Sequence, residues 1–170
     1  MKKVLIALDY NPTAQKVAEA GYSLAQSIGA EVILLHVLVD SMYYSSTMYS
    51  SIMGFDGYIN AGFVQPDVVA ELKKSTQDFL DKSKQHLKDD TIKTVIKEGE
   101  VADCILEAAK DEKVDIIVVG SHSQKWLESI VMGSVTEQVL HQTMIPLYVI
   151  PTKNLLPGDI DSPTYEVSIG

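Results

Sequence analysis

Three short runs of apolar, largely β-branched residues constrain the fold of this chain more than any other feature. They lie at Val4 to Leu8, Val32 to Val39 and Asp115 to Val119, and each is nearly free of polar positions. Runs of this length without polar alternation are typical of strands in a parallel sheet, which are covered on both faces. The sequence therefore predicts a sheet that is buried between two layers of helix.

The segments between these runs have helical spacing and are bounded by turn residues. Asn11-Pro12 predicts a helix start, with Asn11 as N-cap and Pro12 as the first helical residue, and Gly29 predicts the C-terminal cap. Further helices are predicted from Gln65-Pro66 to Lys88, from Val101 to Glu112, and from Gly133-Ser134 to about Thr143.

Two more strands complete the pattern. Ile92 to Ile96 alternates with charged residues, as an edge strand does, and Pro146 to Ile150 is the last strand. The order β-α-β-α-β-α-β-α-β predicts a single α/β domain whose open five-stranded parallel sheet carries helices on both faces. In such sheets, ligands bind beyond the carboxyl ends of the strands, where the winding reverses.

A pattern of glycine and serine follows the third apolar run. It reads Gly120-x-x-Ser123-(nine residues)-Gly133-Ser134. Ser134 and Glu137 have the spacing of a capping box, in which Ser134 would be the N-cap of the last helix. The free N–H groups and the dipole at a helix start favour an anion, and a glycine there lets a ligand approach the backbone. The pattern predicts an anion site beside Gly133, although Ser134 can also act purely as a cap.

This pattern resembles the nucleotide-binding signature of the universal stress protein family, Gly-x-x-Gly-(nine residues)-Gly-Ser/Thr. The stretch VVGSHSQKWLESIVMGSVTEQVL matches it almost throughout, and Ser123 stands where the ATP-binding branch has a second glycine. The resemblance covers roughly residues 1–40 and 66–151. It implies a Rossmann-like, adenine nucleotide alpha hydrolase-like fold with strand order 3-2-1-4-5. In that order Asp9 and Gly120, at the ends of the first and fourth strands, flank the ligand crevice.

The resemblance also implies an adenine nucleotide site. Asp9 is expected to accept hydrogen bonds from ribose hydroxyls, although a carboxylate at a strand end can also cap the following turn. Ala7 and Val37 offer apolar contact to the base, and core packing explains them equally well. Backbone atoms of residues 120–123 and N–H groups of residues 133–135 are expected beside the phosphates. The complete predicted set is Ala7, Leu8, Asp9, Val37, Val119, Gly120, Ser121, His122, Ser123, Gly133, Ser134 and Val135.

Charge and composition argue against several other kinds of function. A net charge of −9 argues against a nucleic-acid or anionic-membrane surface, because either requires clustered lysine and arginine. The single cysteine, Cys104, excludes an internal disulfide and fits a reducing compartment. The sequence does not begin with a charged segment followed by an apolar one, as a signal peptide does, and it has no apolar run of about 18 residues. We therefore expect a cytoplasmic protein.

Other catalytic and metal-binding motifs are absent from the sequence. It contains no P-loop, no dinucleotide fingerprint and no zinc-protease motif. The four histidines have no metal-ligand spacing, so no metal site is predicted. His36 lies in a buried strand and is expected to be a satisfied core residue. A triad of Asp9, Ser121 and His122 is disfavoured, because adjacent residues rarely point at each other and no nucleophile elbow surrounds the serine.

Two segments differ in composition from the rest. Residues 41–64 contain four of the eight tyrosines and three of the six methionines. The insertion 41–65 is therefore expected to dock on the crevice, on a second subunit or on a partner, or to be partly disordered. The tail from Pro151 is expected to be extended. The predicted organisation is one domain over residues 1–151, followed by the tail 152–170.

The predicted function is that of a binding module in the stress response. A homodimeric universal stress protein, paired through Pro146 to Ile150, would hold ATP or AMP and change its contact with an unidentified protein partner. Mg²⁺ would bind only through the phosphates of ATP. Hydrolysis would be slow at most, because beyond Asp9 no general base or metal-binding carboxylate pair is evident. Two alternatives stay open: a family member that has lost nucleotide binding, toward which Ser123 is a step, and an enzyme that acts on a nucleotide or a small metabolite.

Overall fold

The computed structural model describes residues 1–10, 12–39, 66–121 and 133–152. The strands in these ranges are β1 (Lys3–Ala7), β2 (Glu31–Leu38), β3 (Lys93–Glu98), β4 (Ile116–Gly120) and β5 (Leu147–Ile150). The helices are α1 (Ala14–Ser27), α2 (Pro66–Leu87), α3 (Val101–Asp111) and α4 (Ser134–Gln142). Of the helices in this described part of the chain, none is long and apolar enough to cross a membrane. The insertion 41–65 and residues 153–170 of the tail lie outside the described residues.

The five strands form one parallel sheet in the order β3-β2-β1-β4-β5. β1 is the central strand, and its Leu5 is in register with Ile33 of β2 on one side and with Ile117 of β4 on the other. The chain winds from β1 out to β3 and then crosses back to β4 and β5. This confirms the predicted fold and strand order, and it places the reversal of winding between β1 and β4.

Both faces of the sheet are buried, which explains the unbroken apolar runs. Successive side chains of a strand point to opposite faces. Leu5 packs with Ile105 of α3 and Val139 of α4. Its neighbour Ile6 packs in the opposite cluster, which includes Leu80 of α2 and residues of α1. Because each layer of helices takes alternate side chains, a central strand is apolar on both sides.

β3 is an edge strand, as its alternating pattern predicted. Its residues are exposed or half-buried, and two lysines pair with the end of α3. Lys93 Nζ lies 2.7 Å from Glu112 Oε1, and Lys97 Nζ lies 2.8 Å from Asp111 Oδ2. Charged side chains at an edge disfavour pairing with a further strand. The other edge is β5, whose sequence LYVI carries no charge.

The first helix begins later than predicted. Thr13 is its N-cap and Ala14 its first residue, and the Val17 N–H donates to the Thr13 carbonyl at 3.2 Å. Pro12 lies in a turn before the helix, so the prediction that Pro12 is the first helical residue with Asn11 as N-cap is wrong. Asn11 itself lies outside the described residues. An Asn-Pro pair favours a turn as strongly as a helix start, because proline presets φ for both.

The end of α1 confirms the predicted glycine cap. Gly29 has a φ of 63°, and its N–H donates to the Gln26 carbonyl at 3.2 Å. The Ala30 N–H donates to the Ala25 carbonyl at 2.9 Å, which completes a Schellman motif. A Cβ built on Gly29 would meet no atom within 4 Å. The backbone conformation, and not crowding, therefore requires glycine at this position.

Substitution of Gly29 should separate conformational strain from packing. Gly29→Ala should lower the free energy of unfolding by about 1–2 kcal/mol, because an L-residue is strained at positive φ. Gly29→Asn should lower it less, since asparagine visits this region more readily. Chemical denaturation measures both changes. Equal stability of the alanine and glycine forms would show that α1 does not end in this conformation in solution.

Candidate functional site

A crevice is expected where the carboxyl ends of β1 and β4 lie side by side. The chain leaves β1 toward α1, which packs on one face of the sheet, and leaves β4 toward α4, which packs on the other. The helices that follow β1 and β4 thus pack on opposite faces of the sheet, which is the arrangement in which a crevice is expected at the strand ends. The predicted site residues that the structure describes come from the ends of β1, β2 and β4 and from the start of α4.

Four of the predicted residues share one apolar cluster on the face covered by α3 and α4. Val37 and Val119 are buried in it, and Ala7 and Val135 pack against it partly buried. They come from four different elements, so a flat ring at this edge would meet apolar side chains from several directions. Leu8 belongs to the opposite cluster. Its side chain packs away from the other four residues.

Asp9 is the first residue beyond the paired part of β1. The Leu8 N–H still donates to the Leu35 carbonyl of β2 at 2.8 Å, so strand pairing extends to the residue before Asp9. Asp9 is exposed, and it lies near enough to His36 for its charge to act on that ring. The structure therefore places a solvent-accessible carboxylate at the end of the central strand.

Gly120 ends β4 at a point where several elements meet. A Cβ there would lie 3.0 Å from Cγ2 of Val17 in α1 and 3.0 Å from Cγ2 of Thr152, beyond β5. The Ser121 N–H donates to the Ile150 carbonyl at 2.8 Å, and Ser121 Oγ accepts from the Thr152 N–H at 3.1 Å. The glycine allows close packing, and the serine hydroxyl holds the chain after β5 against the end of β4.

The N-cap of α4 is Gly133, not Ser134. Gly133 has φ −61° and ψ 149°, and Ser134 is the exposed first residue of the helix. The Glu137 N–H donates to the Gly133 carbonyl at 2.9 Å, and the Glu137 carboxylate lies 3.8 Å from His141 Nε2, one turn further on. The predicted capping box of Ser134 and Glu137 is therefore wrong. With Gly133 as the cap, Glu137 is one residue too far along the helix to reach back.

The first turn of α4 is fixed to the end of β4 by a side-chain hydrogen bond. Thr136 is buried, and its Oγ1 donates to the Gly120 carbonyl at 3.0 Å. The N–H groups of Ser134, Val135 and Thr136 precede the first helical hydrogen bond, so they have no acceptor within the helix. The positive end of the α4 dipole thus lies beside Gly120. Gly120 and the start of α4, which belong to the two halves of the glycine motif, therefore lie side by side.

His122 and Ser123, the middle of the predicted motif, lie outside the described residues. The structure describes the other ten of the twelve predicted positions: Ala7, Leu8, Asp9, Val37, Val119, Gly120, Ser121, Gly133, Ser134 and Val135. Among the residues described, no three His, Cys, Asp or Glu side chains lie close enough together to hold a metal ion.

His36 is buried beside this edge of the sheet, but only one of its nitrogens is satisfied. Its Nδ1 lies 2.7 Å from the Leu8 carbonyl, and its Nε2 has no hydrogen-bond partner among the described residues. His36 is thus a core residue as expected, but only its Nδ1 is satisfied by a hydrogen bond among the described residues. Burial lowers the pKa of His36, an effect that the Leu8 carbonyl and the Asp9 charge partly oppose. Burial therefore favours the neutral form of the ring.

Two residues near the site were missed from the sequence. Tyr10 packs its ring on His36 with a centroid distance of 4.3 Å, and its hydroxyl hydrogen-bonds to Thr76 of α2. Thr136 makes the bond to Gly120 described above. Tyr10 adjoins the predicted Asp9, and Thr136 adjoins the predicted Val135. No local pattern distinguished them, because each acts on a residue that is distant in sequence.

A separate open depression of about 310 Å³ lies between α1 and α2. Its lining comes from the two helices and the turn before α1: Pro12, Ala14, Gln15, Ala18, Phe79, Lys82, Ser83 and His86. It shares no residue with the predicted site. The depression is therefore separate from the predicted site.

The model of the universal stress protein family matches residues 1–151. The chain belongs to the universal stress protein family. Among curated relatives, universal stress protein MJ0577 of Methanocaldococcus jannaschii is 30% identical over 157 residues, which cover 90% of this chain and 96% of the relative. The solved structure of MJ0577 superposes with a TM-score of 0.66 at 29% identity, covering 91% of this chain and 98% of that one.

Two solved structures of more distant universal stress proteins contain nucleotides. One is a complex with cAMP, with a TM-score of 0.58 at 17% identity, covering 89% of this chain and 98% of that one. The other, from Archaeoglobus fulgidus, is a complex with dAMP, with a TM-score of 0.53 at 19% identity, covering 88% and 97%. At these identities the likeness establishes the shared fold.

Substitution of Thr136 should show whether its hydroxyl holds α4 in place. Thr136→Val keeps the shape of the side chain but leaves the Gly120 carbonyl without this donor, so the free energy of unfolding should fall by about 1–3 kcal/mol. Thr136→Ser keeps the hydroxyl, so its free energy of unfolding should fall by less than that of Thr136→Val. Chemical denaturation of the two variants provides the comparison. A valine form as stable as the wild type would contradict a contribution from this bond.

Proposed function

We propose that this universal stress protein binds an adenine nucleotide, ATP or AMP, in the crevice between β1 and β4. The observation that carries the proposal is the bond from Thr136 to the Gly120 carbonyl, which fixes the free N–H groups of α4 beside the end of β4. An anion-binding helix start then lies next to an apolar cluster and an exposed carboxylate. These three features match the phosphates, base and ribose of one ligand.

The base and ribose would occupy the side of the crevice near β1. Ala7, Val37, Val119 and Val135 supply apolar contact to the base from one cluster. Asp9, at the exposed end of β1, accepts hydrogen bonds from the ribose hydroxyls. Leu8 contributes backbone atoms, because its side chain packs on the other face of the sheet.

The phosphates would lie at the start of α4. The N–H groups of Ser134 and Val135 and the dipole of the helix favour an anion there, and the missing side chain of Gly133 lets it come close. Because the chain carries a net charge of −9, binding relies on these local backbone dipoles. Gly120 and Ser121, at the end of β4, would face the phosphates from the other side. The parts of His122 and Ser123, which lie outside the described residues, stay predictions from the sequence.

The distant relatives support this class of ligand. The universal stress proteins in complex with cAMP and with dAMP hold adenine nucleotides on the same fold. Mg²⁺ would bind through the phosphates of ATP. The second candidate is a family member that acts through protein contacts alone, and the serine at position 123 favours it, since a Cβ there would narrow the phosphate site. Phosphate release well above background would instead support an enzyme.

Asp9→Ala should weaken the binding of adenosine and of ATP by similar amounts, because both ligands carry the ribose. The expected loss is about 1–3 kcal/mol, the usual contribution of a hydrogen bond to a charged group. Isothermal titration calorimetry with each ligand measures it. If the alanine variant bound ATP as tightly as the wild type, Asp9 would not be part of the site.

The same titrations on Gly133→Val should give a different result. The φ and ψ of Gly133 are −61° and 149°, which valine adopts without strain. The branched side chain would nonetheless block the approach of phosphate. The affinity for ATP should therefore fall at least about tenfold, or 1.4 kcal/mol, while the affinity for adenosine should change little. Thermal unfolding of the ligand-free variant controls for the weaker N-cap. Equal losses for both ligands would place the phosphates elsewhere, and no binding of any adenine nucleotide by the wild type would favour the second candidate.

We also propose that two copies of the chain pair through β5. This strand is an uncharged edge, and the exposed apolar residues near it are Leu140, Met144 and Tyr148. The carbonyls of Pro146 and Ile150 accept from β4, so the backbone groups of Leu147 and Val149 point to the open side. An uncovered edge of this kind invites pairing with another strand.

Light scattering should give the mass of a dimer at micromolar concentration. Val149→Pro removes one N–H from the open side and spares the pairing with β4, so this variant should shift toward the monomer. Glu98→Pro, on the opposite edge strand, serves as a matched control and should remain dimeric if it folds. The Gly99 N–H donates to the Leu38 carbonyl, so the N–H of Glu98 points away from β2. A monomeric wild type would contradict pairing through β5.

A further inference from the structure

Asp9 is exposed, yet the residues on both sides of it are held by one buried side chain. His36 is 4% exposed and lies near the carboxyl end of β2. Its Nδ1 contacts the Leu8 carbonyl, and its ring packs against that of Tyr10 at an interplanar angle of 58°. The segment from Leu8 to Tyr10 therefore has two anchors on the same imidazole, with Asp9 between them.

The first anchor acts on the peptide bond that leads into Asp9. The Leu8 carbonyl can only accept, so the proton of the neutral ring is on Nδ1, which donates to it at 2.7 Å. A peptide unit is planar, and fixing the direction of its carbonyl also fixes the N–H and Cα of the next residue. The bond from His36 therefore sets the direction in which the chain enters Asp9.

The second anchor acts on the residue that follows Asp9. The centroid of the Tyr10 ring lies 4.3 Å from that of His36 and 5.0 Å from that of Phe79. The Tyr10 hydroxyl bonds to Thr76, whose Oγ1 lies 2.9 Å from the Leu72 carbonyl. Tyr10 is thus fixed both to β2 and to α2, so the chain is also held as it leaves Asp9.

We propose that His36 is a positioning residue, which fixes the segment Leu8 to Tyr10 and thereby holds the Asp9 carboxylate where a ribose can reach it. This inference rests on the proposed nucleotide site for its ligand, but the restraint on the segment is present without one. His36 does not contact the ligand in this mechanism. It acts through Asp9.

The unsatisfied nitrogen of His36 supports a positioning role over packing. Nε2 is buried with no hydrogen-bond partner among the described residues, and a buried polar atom without a partner destabilises a fold. An aliphatic side chain at position 36 would fill this part of the core without that loss, as Leu34 does two residues earlier on the same face. An aliphatic residue cannot, however, donate a hydrogen bond to the Leu8 carbonyl as His36 Nδ1 does.

Three substitutions separate the donor from the bulk of the ring. His36→Asn places an amide N–H near the position of Nδ1, His36→Gln places it near Nε2, and His36→Leu supplies none. The glutamine and leucine variants should bind adenosine about tenfold more weakly than the wild type, the equivalent of losing one hydrogen bond. The asparagine variant should stay within about threefold of the wild type. Equal losses in the asparagine and glutamine variants would contradict the proposal.

A double-mutant cycle with Asp9 separates positioning from a general structural effect. If His36 acts through Asp9, then His36→Leu should change adenosine affinity by less than about twofold in the Asp9→Ala background. If it only supports the fold, the same tenfold loss should appear in both backgrounds, and this result would overturn the proposal. Thermal unfolding of each ligand-free variant shows which proteins are folded.

A ligand-free measurement keeps this inference distinct from the proposed function. Amide hydrogen exchange at Asp9 and Tyr10 should be faster in the leucine and glutamine variants than in the wild type and the asparagine variant. Unchanged exchange in all variants would show that His36 does not restrain the segment. Faster exchange together with no adenosine binding by the wild type would reject the proposed ligand and the ribose contact, and would leave the restraint itself established.

Discussion

The burial of both faces of the central strands is the constraint on which the rest of this structure depends. β1 lies between two layers of helix, and its successive side chains enter different cores: Leu5 one of them and Ile6 the other. A strand covered in this way has no free face for a polar group within its length. Along β1 and β4 the polar side chains of the candidate site therefore lie beyond the strands: Asp9 follows the end of β1, and Ser121 follows the end of β4.

The same constraint explains why the candidate site is built from strand ends and a helix start. At the reversal of winding, the helices that follow β1 and β4 pack on opposite faces of the sheet. Side chains that are distant in sequence then fix these ends. Thr136 holds α4 against Gly120, Ser121 holds the chain after β5, and His36 holds the exit from β1.

Local patterns were sufficient for the elements and for the C-terminal cap of α1, but not for the N-terminal caps of α1 and α4. The end of α1 at Gly29 was predicted correctly, because a glycine cap with positive φ depends only on a few neighbouring residues. The cap at Ser134 was predicted wrongly, because glycine and serine are both acceptable N-caps and the spacing to Glu137 fits a box by coincidence. The position of the first helical bond decided between them. Likewise, Pro12 served as a turn residue and not as the first residue of α1.

The sequence by itself determined the alternation of strands and helices, the parallel sheet and the glycine-serine motif beside the last helix, since hydrophobic periodicity and turn residues act over short distances. The resemblance to a family then supplied the strand order and the choice of residues. Only the tertiary structure decided how the end of β1 is held. The bond from His36 to Leu8 spans 28 positions, and the contact of Tyr10 with Thr76 spans 66. Pairing over such distances depends on which strands become neighbours, and no local pattern in the chain encodes it.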